Sequence, residues 1–296
     1  MTYGNGHRCN DYEEEHHSFP VVGPDAQMPT RLRPLLNSSG PDGTHGTMTR
    51  EDWFAVLDQG AGCGVRRVQL IGGEPTMHPD GPAIVERALS LGLGVEVYSN
   101  LVHVSDKWWE LLGREGVSVA TSYYSDRAVE HNAMTGRPSH TRTLANIKKA
   151  LRLGISLRVG IVAASEVQRV KAARRELEAL GVKRIGLDHV RPFGRGSRGQ
   201  APEPSGLCGR CGIGKASVGP DGNVSPCVFS ADTMGVGTVR RSPLAAILSG
   251  PVMAKARASI RGAVAKGGDE DDDECDPVGD GECSPGYPSS SCSPRN

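Results

Sequence analysis

Val68-Gln69-Leu70-Ile71-Gly72-Gly73-Glu74-Pro75 is the stretch on which the fold turns. Residues 68–71 form a short apolar run of strand length, and two glycines and a proline stop it at once. In a parallel sheet, the ligand site lies at the C-terminal ends of the strands. Two glycines let the backbone approach a ligand closely. A glutamate beside them can accept hydrogen bonds from an ammonium group.

Outward from this point, helical and strand patterns alternate. Upstream, Thr49 with Asp52 three residues later starts a helix whose apolar face holds Trp53 and Leu57, and Gly62 ends it. Downstream, Ile84, Ala88 and Leu91 share one face of a helix at 82–91, followed by a strand at 95–98. Ser105 opens a helix containing Trp108, Leu111 and Leu112, and a strand follows at 117–121. Leu144, Ile147 and Leu151 recur at helical spacing before a strand at 157–162. Val167, Val170, Leu177 and Leu180 repeat that pattern before a strand at 184–189. Five strands and five helices imply parallel βαβ units. Periodicity alone leaves an open doubly wound sheet and a part of a barrel equally open. The Trp108-Trp109 pair reads as core, Met77 and His78 as loop filler, and Cys63 as packing beneath the sheet.

Composition changes after Pro192. Residues 193–205 read as a linker, and Pro220-Asp221-Gly222-Asn223 reads as the turn of a hairpin. A helix is expected over 243–265. An acidic run at 269–274 reads as solvated, followed by a Pro/Gly/Ser/Cys-rich end.

Lys+Arg and Asp+Glu both number 34, so no basic excess points to nucleic acid. No run of about 18 apolar residues predicts a membrane span. Residues 1–20 are polar and lack the apolar stretch of a signal peptide, so a cytoplasmic location is the expectation. There, cysteines serve as thiols or metal ligands. Of eight, Cys9 and Cys63 stand alone, whereas Cys208, Cys211, Cys227, Cys275, Cys283 and Cys292 crowd the last third. One part of the chain is built on a core and the other around cysteine chemistry.

Taken together, these residues resemble the radical S-adenosylmethionine (SAM) superfamily. Gly72, Gly73, Glu74 and Pro75 look like its motif for the methionyl amino group of SAM. Ser99 and Asn100 end the next strand, where the family contacts SAM. Ser122, with His131-Asn132 and Gly136 downstream, resembles the family's serine strand. Arg158 stands where a side chain reaching the SAM carboxylate is expected. Cys211, Gly222 and Cys227 bracket the hairpin and resemble the opening of the SPASM or twitch extension, whose cysteines ligate auxiliary [4Fe–4S] clusters. Cys208, Cys275, Cys283 and Cys292 are further candidate ligands, although the tail spacing departs from the extension's usual pattern.

The resemblance implies an α/β fold: a partial (β/α)6 TIM-like barrel with a small Cys-rich C-terminal domain. The expected divisions are an atypical segment at 1–37, the barrel at 38–196, the auxiliary domain at 197–266 and the tail at 267–296. It implies reductive cleavage of SAM, a ribosomally synthesised peptide as substrate, and a reducing partner such as a flavodoxin or ferredoxin. No catalytic acid, base or hydrogen donor is assigned. The rival readings are a non-catalytic degenerate paralogue and a zinc-ribbon peptide-binding module holding Zn at Cys208, Cys211, Cys227 and a tail cysteine.

One motif of the family is missing. Its SAM-cleaving cluster needs Cys-x-x-x-Cys-x-x-Cys after the first strand, and residues 22–36 contain no cysteine. Back-translated and read one base later, that stretch can give Trp-Asp-Leu-Thr-Arg-Arg-Cys-Arg-Leu-Ala-Cys-Gly-His-Cys-Tyr. That is a strand followed by the full triplet. Only the first cysteine codon, within Met28-Pro29, is forced by the code. The expectation is a local frameshift, with the chain as written unable to anchor that cluster and deprived of its first strand.

Overall fold

Thr49 sets the first boundary. Its hydroxyl accepts from the Asp52 amide while the Asp52 carboxylate accepts from the Thr49 amide, closing a capping box at the start of α1 (Arg50–Gly62). The computed structural model describes residues 18–22, 45–165, 167–190, 193 and 201–266. Within them the chain runs β1 (Ser18–Val22), α1, β2 (Arg67–Ile71), α2 (Gly81–Ser90), β3 (Gly94–Tyr98), α3 (Asp106–Leu112), β4 (Val117–Tyr123), α4 (Ala128–Thr135), α5 (His140–Arg152), β5 (Leu157–Ala163), α6 (Val170–Ala179) and β6 (Arg184–His189). After these come β7 (Ser217–Val218), β8 (Asn223–Ser225), β9 (Gly237–Thr238), α7 (Leu244–Ser249) and α8 (Pro251–Lys266).

All strands join one sheet in the order β6-β5-β4-β3-β2-β1-β7-β8-β9. β1 to β6 are parallel and form the partial (β/α)6 barrel. β7 adds to β1 in parallel through Val21 and Val218, and β8 and β9 follow antiparallel. The small C-terminal sheet therefore continues the barrel wall.

Strand alternation sorts the residues onto two faces. Val68, Leu70, Val95, Val97, Val119, Leu157, Val159 and Ile161 meet Trp53, Leu57, Ile84, Ala88, Trp108, Leu112, Ile147 and Leu177 of the helices in the main core. Fully burying a side chain of this size stabilises by about 1.5–3 kcal/mol, so this layer is the chief source of stability. The opposite face carries Gln69, Glu96 and Arg158, all buried and polar. Beyond them, Ile71 and Tyr98 pack with Phe193, Leu207, Cys211, Cys227, Phe229 and Ile260 in a second cluster. That cluster seats the cysteine-bearing segment on the C-terminal ends of the strands.

Several expectations change. Five helices were expected between residues 49 and 190, but α4 makes six. It buries only His131 and Thr135, so it has no apolar stripe to reveal it. The helix expected over 243–265 is two helices. Pro251 lacks an N–H and biases Gly250 to an extended conformation (φ −74°, ψ 159°), which separates α7 from α8. Val167 is exposed and precedes α6; Gln168 is the buried residue there, donating to the Tyr124 and Val162 carbonyls. Cys63 is the partly exposed C-cap of α1 and does not lie beneath the sheet. The first strand is not lost, because Ser18–Val22 pairs with β2 along its whole length. The region of the expected cysteine triplet, the acidic run and Cys275, Cys283 and Cys292 lie outside the described residues, as does Cys9.

Candidate active site

The site begins where β2 ends. Gly72 takes φ +113°, a conformation that side chains disfavour, and so turns the chain sharply at the strand end. Glu74 is then buried, and Pro75 opens a short 3-10 turn. The Glu74 carboxylate links three segments. Oε1 accepts from the Thr76 amide at 3.2 Å and lies 2.8 Å from the Thr76 hydroxyl, and Oε2 accepts from the Asn100 amide at 2.8 Å. Burial pushes its pKa above the usual carboxylate range, against the hydrogen bonds from Ser99, Asn100 and Thr76. Glu74 thus fastens the loop after β2 to the loop after β3.

That second loop is held tightly. Ser99 Oγ accepts from the Leu101 amide and Asn100 Oδ1 from the Val102 amide. Leu101 has φ +54°, a strained value for leucine of order 1–3 kcal/mol. Asn146 donates to the Leu101 carbonyl at 2.7 Å and Thr143 to that of Asn100 at 3.0 Å, so α5 holds the strained turn in place.

Deeper in the barrel, Arg158 on β5 forms a two-pronged pair with Glu96 on β3, at 2.7 Å for each prong. Gln69 on β2 also donates to Glu96. Burial alone would raise the Glu96 pKa, but the Arg158 hydrogen bonds and charge hold it below the usual range. Arg158 also stacks over the Tyr98 ring, 5.7 Å from its centroid, and the Tyr98 hydroxyl lies 2.7 Å from Ser122 Oγ. Gly72, Gly73, Glu74, Pro75, Ser99 and Asn100 therefore form one connected rim, whereas Ser122 and Arg158 belong to a polar network beneath it.

Sequence reasoning missed two features. His78 is buried, and its Nδ1 accepts from the Asp80 amide at 3.0 Å, so it shapes the rim loop and is not filler. Behind the sheet, the Tyr123 hydroxyl donates to Glu176 at 2.7 Å and lies 2.8 Å from His140 Nε2, with the His131 ring 5.2 Å from both aromatic neighbours. Nothing in a single sequence ties those four positions together. The neighbouring motif residues shape a turn: Asn132 Oδ1 accepts from the Ser139 and His140 amides, and Gly136 ends α4 at φ +72°.

Above the rim lie three thiols. Cys208 and Cys211 sulfurs are 3.9 Å apart, and Cys211 also hydrogen-bonds Cys227. The Cys211 thiol is pushed up, first by its contact with Cys208, then by that with Cys227 and by burial, and the contact with Cys211 holds Cys227 below the ordinary thiol range. Among the described residues, no three or more His, Cys, Asp or Glu side chains close around a point as a finished metal site. The donor set nevertheless fits an iron–sulfur cluster, with three soft sulfurs, two of them buried, in the apolar surroundings of Phe193, Phe229 and Ile260. A SAM-cleaving cluster is not matched in this way, because Cys63 is the only cysteine between Cys9 and Cys208.

The radical SAM superfamily model matches residues 31–165, and an iron–sulfur cluster-binding domain model matches residues 208–279. A PqqA peptide cyclase of Streptomyces rochei is 30% identical over 156 residues, which is 52% of this chain and 43% of the relative. A PqqA peptide cyclase of Xanthomonas campestris is 26% identical over 193 residues, 62% of this chain and 48% of the relative. The chain thus spans less than half the length of these curated relatives. Streptococcus suis SuiB bound to precursor peptide SuiA has a TM-score of 0.67 at 12% identity, covering 81% of this chain and 66% of that one. The protein anSMEcpe with bound AdoMet has a TM-score of 0.61 at 13% identity, covering 82% and 81%. At such identities these structures establish the shared fold.

Proposed function

We propose that this chain, a radical SAM superfamily protein with a C-terminal iron–sulfur cluster-binding domain, binds SAM at the rim of its barrel and acts on a ribosomally synthesised peptide held beneath its cysteine domain. The observation that carries this reading is the second apolar cluster. It joins Cys211 and Cys227 in one cluster with Ile71 and Tyr98, the last residues of the strands that lead into Gly72 and Ser99. A thiol-rich domain and a nucleoside-sulfonium pocket then face one space. The peptide substrate is supported by the PqqA peptide cyclase relatives and by the SuiA-bound neighbour.

Each part of the site has a task in this reading. The Gly72-Gly73 turn lets the main chain meet the ligand's amino group. Glu74, Ser99 and Asn100 keep the two rim loops in register, and burial around Tyr98 and Ile71 excludes water. Cys208, Cys211 and Cys227, with one ligand from the tail, would hold an auxiliary [4Fe–4S] cluster, which when bound supplies electron transfer or substrate ligation. The family's reductive cleavage of SAM needs a further cysteine triplet that this sequence does not contain. Action on the peptide by SAM cleavage, with a flavodoxin- or ferredoxin-like reductant, therefore belongs to a chain with the triplet restored, and the chain as written has no thiolates to anchor that cluster.

Anaerobic purification with iron and sulfide analysis tests the assignment. The expected result is about four iron and four sulfide per chain, lost in Cys211→Ser and Cys227→Ser, together with SAM binding by equilibrium dialysis. Zinc without sulfide, or no affinity for SAM, overturns it.

A further inference from the structure

The nine-stranded sheet has two edges, and they are guarded differently. β9, at one end, is two residues long, too short to recruit another chain. β6, at the other end, is six residues long. Along a strand in a parallel ladder, successive residues turn their N–H and C=O to opposite sides. The Val190 amide donates to the Ala163 carbonyl of β5. By that alternation Arg184, Gly186 and Asp188 also bond to β5, whereas Ile185, Leu187 and His189 turn their main-chain groups outward.

This outward row is covered only at its start. Arg174 of α6 donates to the Ile185 carbonyl at 3.3 Å, and the exposed Lys183 and Arg184 stand beside it in the sequence. Charged side chains of this kind blunt an edge against a second chain. Leu187 has no such cover. Its side chain is 36% exposed, and among the described residues its N–H and C=O have no partner. It lies in the C-terminal half of β6, the end at which the parallel strands β2 and β3 lead into Gly72 and Ser99. The guard therefore stops where the mouth of the barrel begins. Arg174 spends its charge on Glu178, but Lys183 has no ion-pair partner among the described residues, so the guarded end favours a carboxylate on an incoming chain.

Resting on the reading that this chain acts on a peptide, we infer that the outward side of β6 at Leu187 and His189 is a docking edge for an extended acidic peptide segment. The segment pairs main chain to main chain as an added strand and sets a carboxylate toward Lys183. Pairing of this type draws its affinity from the peptide's main chain, so it aligns a substrate beside the strand ends whatever residue is to be modified.

The test is fluorescence anisotropy on the full chain with a dye-labelled heptapeptide, Glu-Val-Thr-Val-Thr-Val-Glu, and its counterpart with Lys at both ends. Leu187→Pro deletes an outward N–H and spares the ladder to β5, to which Leu187 does not bond. It should weaken binding of the Glu peptide about 10-fold, the scale of one lost main-chain hydrogen bond. Leu187→Ala keeps the N–H and should weaken it no more than about twofold. The Lys peptide should bind about two- to fivefold more weakly than the Glu peptide, and Lys183→Ala should erase that difference. In hydrogen exchange on the wild type, the Glu peptide should slow the Leu187 and His189 amides about 10-fold and leave Thr238 on the opposite edge unchanged. That readout decides the matter even where Leu187→Pro fails to fold. Equal binding by wild type and a folded Leu187→Pro, or a bound peptide that leaves the Leu187 amide unprotected, overturns the edge assignment and leaves the peptide reading standing. Wild-type chain that binds neither peptide overturns the peptide reading on which the assignment rests.

Discussion

At the scale of single residues, the informative side chains are the buried polar ones, and they divide by whether their partners are complete. The Glu96 carboxylate is filled by Arg158 and Gln69; removing Arg158 alone would leave an uncompensated buried charge. His131 is the opposite case. It is buried among Tyr123, Tyr124 and His140, and its Nδ1 has no partner among the described residues. Burial first, and then the nearby His140, lower its pKa to about 3. The unfolded chain takes up a proton at this site as pH falls through 6.5, while the folded chain stays neutral until about 3. Stability is therefore intact above 6.5 and declines on acidification. Replacing His131 by Phe should remove that dependence. Urea unfolding at pH 7 and pH 5 should show the wild type losing about 2 kcal/mol more than His131→Phe over the interval. Parallel losses would mean that the ring is already charged or hydrated in the folded state. This site illustrates the limit of sequence reading. Glu74 and Ser99 were legible because their motif is contiguous with a strand end. Tyr123, His140 and Glu176 acquire meaning only from contacts between distant positions.

At the scale of elements, the apolar strand runs were legible because each buries one face under a helix and the other over a polar floor, which yields short runs bounded by turns. α4 was not, since its burial rests on a histidine and a threonine. The split between α7 and α8 was written in Gly250-Pro251, but the apolar spacing either side masked it. The hairpin turn at 220–222 was legible as a turn, though not as a clasp. The Pro220 carbonyl accepts from the Thr47 and Met48 amides at 3.1 and 3.0 Å, and Asp221 accepts from the Thr47 amide and hydroxyl. Arg240 closes the clasp by donating to the Thr47 and Asp221 carbonyls. Gly46 must be glycine there, because a Cβ would stand 2.4 Å from the Pro220 oxygen. Asp221→Ala should cost about 1 kcal/mol and speed amide exchange at Thr47 and Met48 about fivefold, with β3 unaffected. Exchange that stays unchanged at those two amides would show the clasp to be held by Pro220 alone.

At the scale of the whole molecule, the described residues join a barrel sheet and a thiol-bearing segment to an incomplete set of cluster ligands. The rim loops, the polar floor and the thiol domain are all in place, and β1 occupies the first position of the barrel. The residues between Val22 and Asn37 contain no cysteine, so they supply no thiolate for a cluster. Iron bound through thiolates follows the number of thiolates offered. Replacing residues 22–36 with the one-base-shifted reading, which restores three cysteines, should raise iron from about four to about eight atoms per chain. It should also allow a reduced sample to form 5′-deoxyadenosine from SAM, which the chain as written should not. Substituting Cys211 and Cys227 in the restored chain should remove only the first four iron atoms, since the two sets of thiolates lie in separate segments. Iron that stays near four after the replacement would show that the shifted reading is a coincidence of codons.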